Sequence, residues 1–220
     1  MLEEILHIRN VRHAVDRVIT NGGASGIDGM QIDELRDYLN THWQTLRSDI
    51  LFGSYRPQAV RKVEIPKAGG GKRMLGIPTV IDRVIQQSIS QFLVSGYEAD
   101  FHENSYGFRA DRNTHQAVCK AQEYLGMGYT WIVELDLEKF FDQVNHDRLM
   151  HLLSRKIKDV RVLGLIGKYL RCGIMDNGLE QKRIQGTPQG SPLSPVLSNI
   201  ILDELDTKLS SRGHRFARYA

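Results

Sequence analysis

VELDLEKFFDQVNH, residues 133–146, is the stretch on which the reading turns. Its upstream flank, TWIVELD (130–136), is a mostly apolar, β-branched run and predicts a buried strand. That strand would end in a carboxylate, Asp136, followed by a turn carrying Phe140 and Phe141. A carboxylate at the end of a buried strand is costly unless something pairs with it. A metal ion is one partner, and Mg2+ prefers carboxylate, water and phosphate oxygens. An N-cap for FFDQVNH is the other reading, and taken alone the stretch reads first as that cap.

Working outward, the flanks alternate helices with turns. Residues 1–20 place Ile5, Ile8, Val11, Val15 and Val18 on one helical face, and NGGASGIDG (21–29) stops that helix. A second helix carries Ile32, Leu35, Leu39, Trp43 and Leu46. QAVRKVEIPK (58–67) and KRMLGIP (72–78) predict a β-hairpin around GGG (69–71). Thr79 is a good N-cap for a helix to about Tyr97. SYGFRADRN (105–113) is a loop before a helix from Thr114. Two more helices cover about 146–156 and 159–172, and GTPQGSPLSP (186–195) runs into a last helix ending near Ser211. HRFARYA (214–220) alternates like a strand just starting. The order of elements is that of an α+β fold.

Composition sets few limits. With 41% hydrophobic and 25% charged residues, the 220-residue chain is an ordinary globular protein with length enough for a core. A net charge of +3 permits a nucleic-acid partner and equally suits a solvated mixed-charge surface. Cys119 and Cys172 are far apart and make no metal-ligand pair, which fits a reducing cytoplasm. No segment approaches the roughly 20 apolar residues that span a bilayer, and MLEEILHIRN is not a signal peptide, so no membrane partner is expected. The eight histidines are scattered and read as surface or core residues.

Two further stretches carry chemistry. In IPKAGGGKR (65–73), Lys67, Lys72 and Arg73 flank glycines whose amides could face an anion. A solvated hairpin tip that protects a sheet edge explains them equally well. In GTPQGSPLSP, Gly186 and Gly190 allow close backbone approach, Gln189 offers an amide, and a helix N-terminus follows. Taken alone, this too reads first as a rigid loop with a strong helix start.

Together, and in this order, the segments resemble the fingers and palm of a group II intron-type reverse transcriptase. The resemblance rests on GASGIDG (23–29), IPKAGGGKRMLGIPTVIDRVIQQ (65–87), NSYGFR (104–109), ELDLEKFFDQVNHDRL (134–149) and GTPQGSPLSPVLSNIILDELD (186–206). It covers nearly the whole chain. Two positions depart from the family pattern: Ala110-Asp111 stand where Pro-Gly is common, and Ser191 where Gly is common.

The resemblance implies a right-hand polymerase: an N-terminal extension and fingers over 1–110, a palm over 111–220 with a small antiparallel sheet packed on helices, and no thumb. It implies two Mg2+ ions, replaceable by Mn2+, about 3.5–4 Å apart, with Asp136 and the carbonyl of Leu137 among their ligands. It implies that Lys67, Arg73 and the amides near Lys139 and Phe140 grip a dNTP. Phe141 would exclude a ribose 2′-hydroxyl, and Gln189 and Gly190 would line the pocket. Family members carry two aspartates after RYA, so this chain is expected to stop just before them and, alone, not to polymerise. The implied partners are group II intron RNA, a template–primer and dNTPs. Arg9, Arg12, Arg17, Arg61, Lys62, Lys72, Arg109 and Arg112 are the candidates for RNA contact. Self-association as a homodimer is a further expectation. The rival readings are a non-catalytic RNA-binding module and a defence- or retron-type reverse transcriptase.

Overall fold

The computed structural model describes residues 1–66, 70–176 and 178–219, with Arg73 described in its main chain alone. Along the chain lie α1 (Leu2–Ile5), α2 (Ile8–Asn21), α3 (Leu35–Phe52), β1 (Val60–Pro66), β2 (Lys72–Ile77), α4 (Val80–Tyr97) and α5 (Thr114–Gly126). Then come α6 (Phe140–Gln143), α7 (His146–Lys156), α8 (Val160–Leu170), β3 (Ile174–Asp176), β4 (Leu179–Gln181) and α9 (Ser194–Ser211). Two compact units are interleaved: Met1–Phe92 with Phe140–Ser194, and Leu93–Lys139 with Pro195 onward.

In the first unit α2 buries Val11, Ala14, Val15 and Val18 and turns Arg9, Arg12 and Arg17 to solvent. Leu35, Ile85, Ile89, Leu153, Ile166 and Leu170 are fully buried and belong to its core, each worth about 1.5–3 kcal/mol in transfer from water. Thr79 caps α4 as the sequence predicts: its hydroxyl accepts the Asp82 N–H at 3.1 Å. The 21–29 loop packs on that cap so closely that a Cβ on Gly26 would stand 2.6 Å from the Thr79 Cα. Arg83 donates to the carbonyls of Gly22 and Ala24, both at 3.0 Å, and ties the end of α2 to α4.

The sheet runs β2-β1-β3-β4. The predicted hairpin pairs antiparallel from Arg61↔Ile77 to Pro66↔Lys72. Beside it, β1 pairs parallel with β3, and β3 pairs antiparallel with β4. Sequence periodicity missed β3 and β4 because strands of three residues carry no readable period.

A buried carboxylate ties these elements together. Asp82 is 1% exposed and accepts from Tyr55 Oη at 2.6 Å, Thr79 Oγ1 at 2.8 Å, Tyr169 Oη at 3.1 Å and the Gln58 amide at 3.2 Å. No cation faces it among these contacts. Burial therefore holds its pKa above the ordinary carboxylate value, and the four donors pull against that. Cys172 lies beside it, donating to the Gln58 carbonyl at 2.6 Å, and burial pushes its thiol up to about 12.

The second unit is organised around two arginines. Arg109, whose side chain is 4% exposed, bonds the Glu98 carboxylate at 2.9 Å and the carbonyls of His102 and Ser105 at 2.7 and 2.9 Å. Arg218 engages both oxygens of Asp206, Asn199 Oδ1 and Ser105 Oγ, and Ser105 and Arg218 form a parallel bridge. Of the strand expected at 214–220, the described residues form that single bridge and no strand. A capping box between Asn113 and Gln116 starts α5.

One expectation is overturned. Residues 130–137 form no strand and are not buried: Trp131 is 95% exposed and Val133 80%. A strand needs a neighbour for its amides and carbonyls, and none of the described residues pairs with this segment. An apolar run marks a surface that wants cover; it does not supply the cover.

Candidate nucleotide and nucleic-acid site

The aromatic turn and the GTPQG loop meet within the first unit. Thr187 donates its amide to the Phe141 carbonyl at 2.6 Å, and Gly186 donates to the Val144 carbonyl at 2.8 Å. His146, at the start of α7, bonds the Gly186 carbonyl through Nε2 at 2.7 Å. Asn145 caps that helix by accepting the Arg148 amide at 2.9 Å, which fixes where the imidazole sits. Gly186 has φ +85°, and a Cβ there would stand 2.8 Å from the Asp142 carbonyl oxygen, so only glycine fits.

Farther along the same loop, the Gly76 amide of β2 donates to the Gln189 carbonyl at 2.9 Å. Ser194 Oγ donates to the Pro188 carbonyl at 2.8 Å, and Ser191 Oγ bonds Gln86 Oε1 on α4. Phe140 and Phe141 are half-buried and meet edge-to-face at 5.6 Å. The structure thus brings Phe140, Phe141, Gln189 and Gly190 to one corner with the β2 backbone. Sequence reasoning marks Gly186 for close backbone approach, which its contact with Asp142 bears out, and does not mark His146 as a brace. The signal lies in the same two quoted stretches, but their contact spans 40 residues and no local rule reports it.

The remaining candidates divide as follows. Asp136, Leu137 and Lys139 belong to the second unit and are exposed. Asp136 caps no helix. Its carboxylate has no hydrogen-bond or ion-pair partner among the described residues, so it is an available hard-oxygen donor, fit to be one ligand of a divalent ion. Among the described residues no three His, Cys, Asp or Glu side chains cluster around a metal position, so a two-ion donor set is not formed by them. Lys139 holds φ +50°, a conformation non-glycine residues rarely adopt. Lys67 lies outside the described residues, as does the side chain of Arg73.

Among the basic candidates, Arg9, Arg12 and Arg17 are exposed on one helix. Lys62 pairs with Asp176 at 2.8 Å and Lys72 with Glu64 at 2.6 Å. The bond to Asp176 raises the Lys62 pKa. Arg61 is half-buried. Arg112 donates to the Glu103 carbonyl at 3.0 Å and lies over the Tyr106 ring. Arg109 is committed to the bonds that build the second unit. No helix among the described residues is long and apolar enough to cross a membrane.

A family model described as reverse transcriptase (RNA-dependent DNA polymerase) matches residues 65–220. The chain belongs to the reverse transcriptase family. Protein YkfC of Escherichia coli is 40% identical over 191 residues, which cover 85% of this chain and 50% of that protein. The group II intron-encoded protein LtrA of Lactococcus lactis is 38% identical over 206 residues, covering 93% of this chain and 34% of LtrA. An uncharacterised 91 kDa protein in the cob intron of Schizosaccharomyces pombe is 39% identical over 190 residues, covering 86% of this chain and 22% of its own length. This reverse transcriptase chain therefore spans half or less of these relatives, and several of them are named for introns. A chain of a partial Cas6-RT-Cas1–Cas2 complex superposes over 100% of this chain and 36% of its own, with a TM-score of 0.61 at 22% identity, a likeness of fold. The α+β fingers-and-palm class stands, and the family works with divalent metal ions.

Proposed function

We propose that the chain carries the fingers and palm of an RNA-directed DNA polymerase of the group II intron type, which copies intron RNA into DNA and binds that RNA to assist splicing. The 220 residues alone are not expected to polymerise, because Asp136 is a single carboxylate and the described residues cluster no others around it. Residues 1–110 serve as N-terminal extension and fingers, and 111–220 as palm. The observation that carries the reading is the corner where Phe141 and the Gln189–Gly190 backbone are held against the fingers hairpin through Gly76. A ring held there meets the sugar of an incoming nucleotide and excludes a 2′-hydroxyl, which selects dNTPs. Lys67, Arg73 and the amides near Lys139 and Phe140 hold the triphosphate. Asp136, with the Leu137 carbonyl, contributes ligands for Mg2+, which Mn2+ can replace. When bound, the metal neutralises charge on the transferring phosphate. Arg9, Arg12 and Arg17 hold RNA, with Arg61, and with Lys62 and Lys72 exchanging carboxylate for phosphate. Arg112 keeps a minor part and Arg109 none. The cell compartment in this reading is the cytoplasm.

Primer extension on an RNA template, with the protein expressed from its own reading frame, tests the proposal. Mg2+-dependent incorporation of dNTPs is expected of that protein, and none is expected of the 220 residues alone. A second reading, an RNA-binding module without catalysis, is favoured by the exposed arginine face of α2, which needs no catalytic group. Salt-sensitive RNA binding with no extension at any divalent ion would select it.

A further inference from the structure

We infer that His146 is a positioning residue that sets nucleotide-sugar selectivity by holding the GTPQG loop to the Phe141 turn. The inference rests on the polymerase reading above. The Gly186 carbonyl can only accept, so the 2.7 Å contact requires the proton on His146 Nε2. The imidazole is 8% exposed, so water does not compete easily for that bond. It closes a clip of three hydrogen bonds with Thr187–Phe141 and Gly186–Val144.

The geometry makes the bond selective in its effect. The far part of the loop is tied independently to β2 through Gly76 and to α4 through Ser191. Losing the imidazole N–H leaves those ties in place and loosens the near end, where only the two main-chain bonds of the clip then hold the loop to the Phe141 turn. The aromatic ring and the Gln189–Gly190 backbone then move relative to one another. Sugar discrimination depends on that spacing, whereas RNA affinity depends on basic residues elsewhere. A purely structural histidine would lower every activity together.

The test uses the protein expressed from its own reading frame, with dNTP and rNTP kinetics on an RNA template and DNA primer. His146→Phe keeps the buried ring and removes the donor. The expected result is a fall in dNTP-over-rNTP preference of about tenfold, ~1.4 kcal/mol, with a raised KM for dNTP and unchanged RNA affinity. His146→Gln, whose amide N–H can reach the carbonyl, restores most of the preference. His146→Asn, too short to reach it, behaves like His146→Phe and serves if that variant does not fold. Unchanged preference in a folded His146→Phe or His146→Asn overturns the inference, as does failure of His146→Gln to differ from them. A wild-type protein that extends no primer overturns the polymerase reading itself, and this assignment with it.

Discussion

Single atoms decide several positions here. A methyl group on Gly26 would press on the main chain of Thr79 at the cap of α4. Neither backbone can give way cheaply, so Gly26→Ala is expected to cost about 1–3 kcal/mol, read as a lower urea midpoint with an unchanged slope. Asp82 gives a residue-scale pH dependence. Burial raises its folded-state pKa above the unfolded value. Its stabilising contribution is therefore full below the unfolded carboxylate pKa and is lost as pH rises through the folded one. Asp82→Asn removes that slope, and its NH2 replaces an acceptor for two of the four donors, at a cost of about 1–3 kcal/mol. Denaturation midpoints across pH read both effects. Asp159 has the opposite sign. Its bonds to Arg161 hold its pKa well below the usual range, so its contribution is lost as pH falls.

At the scale of elements, the contrast is between segments that find partners and one that does not. The hairpin is stitched by six register pairs, whereas 130–137 has no strand neighbour among the described residues. Amides of 130–137 are expected to exchange quickly and those of β1 and β2 slowly, as hydrogen-exchange mass spectrometry would show. Protected 130–137 amides in the isolated 220-residue chain would contradict an unpaired segment. The same contrast explains what could be read in the sequence. The Thr79 cap and the loop that runs into α9 follow from local chemistry, and the sequence displays them. Residues 174–176 become a strand beside β1, far away in the chain, and 179–181 pair with 174–176 in turn; no local pattern announces that. Phe141, Gln189 and Gly190 stand out as motif residues. His146 does not, because its meaning lies in a carbonyl forty positions on.

For the molecule as a whole, a net charge of +3 is small, so RNA affinity depends on where the charge sits. Arg9, Arg12 and Arg17 form an exposed face, while Lys62 and Lys72 start out paired with carboxylates. Replacing the three arginines by alanine is expected to flatten the logarithmic salt dependence of RNA binding by about 0.7–0.9 for each phosphate no longer neutralised. Lys72→Ala should change it less, because part of its gain goes into releasing Glu64. Filter binding across a salt series distinguishes the two. The exposed run from Trp131 to Leu137 also bears on assembly. Apolar surface of that kind favours self-association, and sedimentation of the 220-residue chain against Trp131→Lys should show the variant less associated.

The most direct test of the polymerase reading is one paired measurement on Asp136→Ala in the protein expressed from its own reading frame: RNA affinity and Mg2+-dependent primer extension. The polymerase reading predicts that extension is abolished while RNA affinity changes by less than about tenfold, ~1.4 kcal/mol, because in that reading the carboxylate serves the metal ion and the arginines serve the RNA. Extension that survives the substitution, or RNA binding that collapses with it, would contradict that reading.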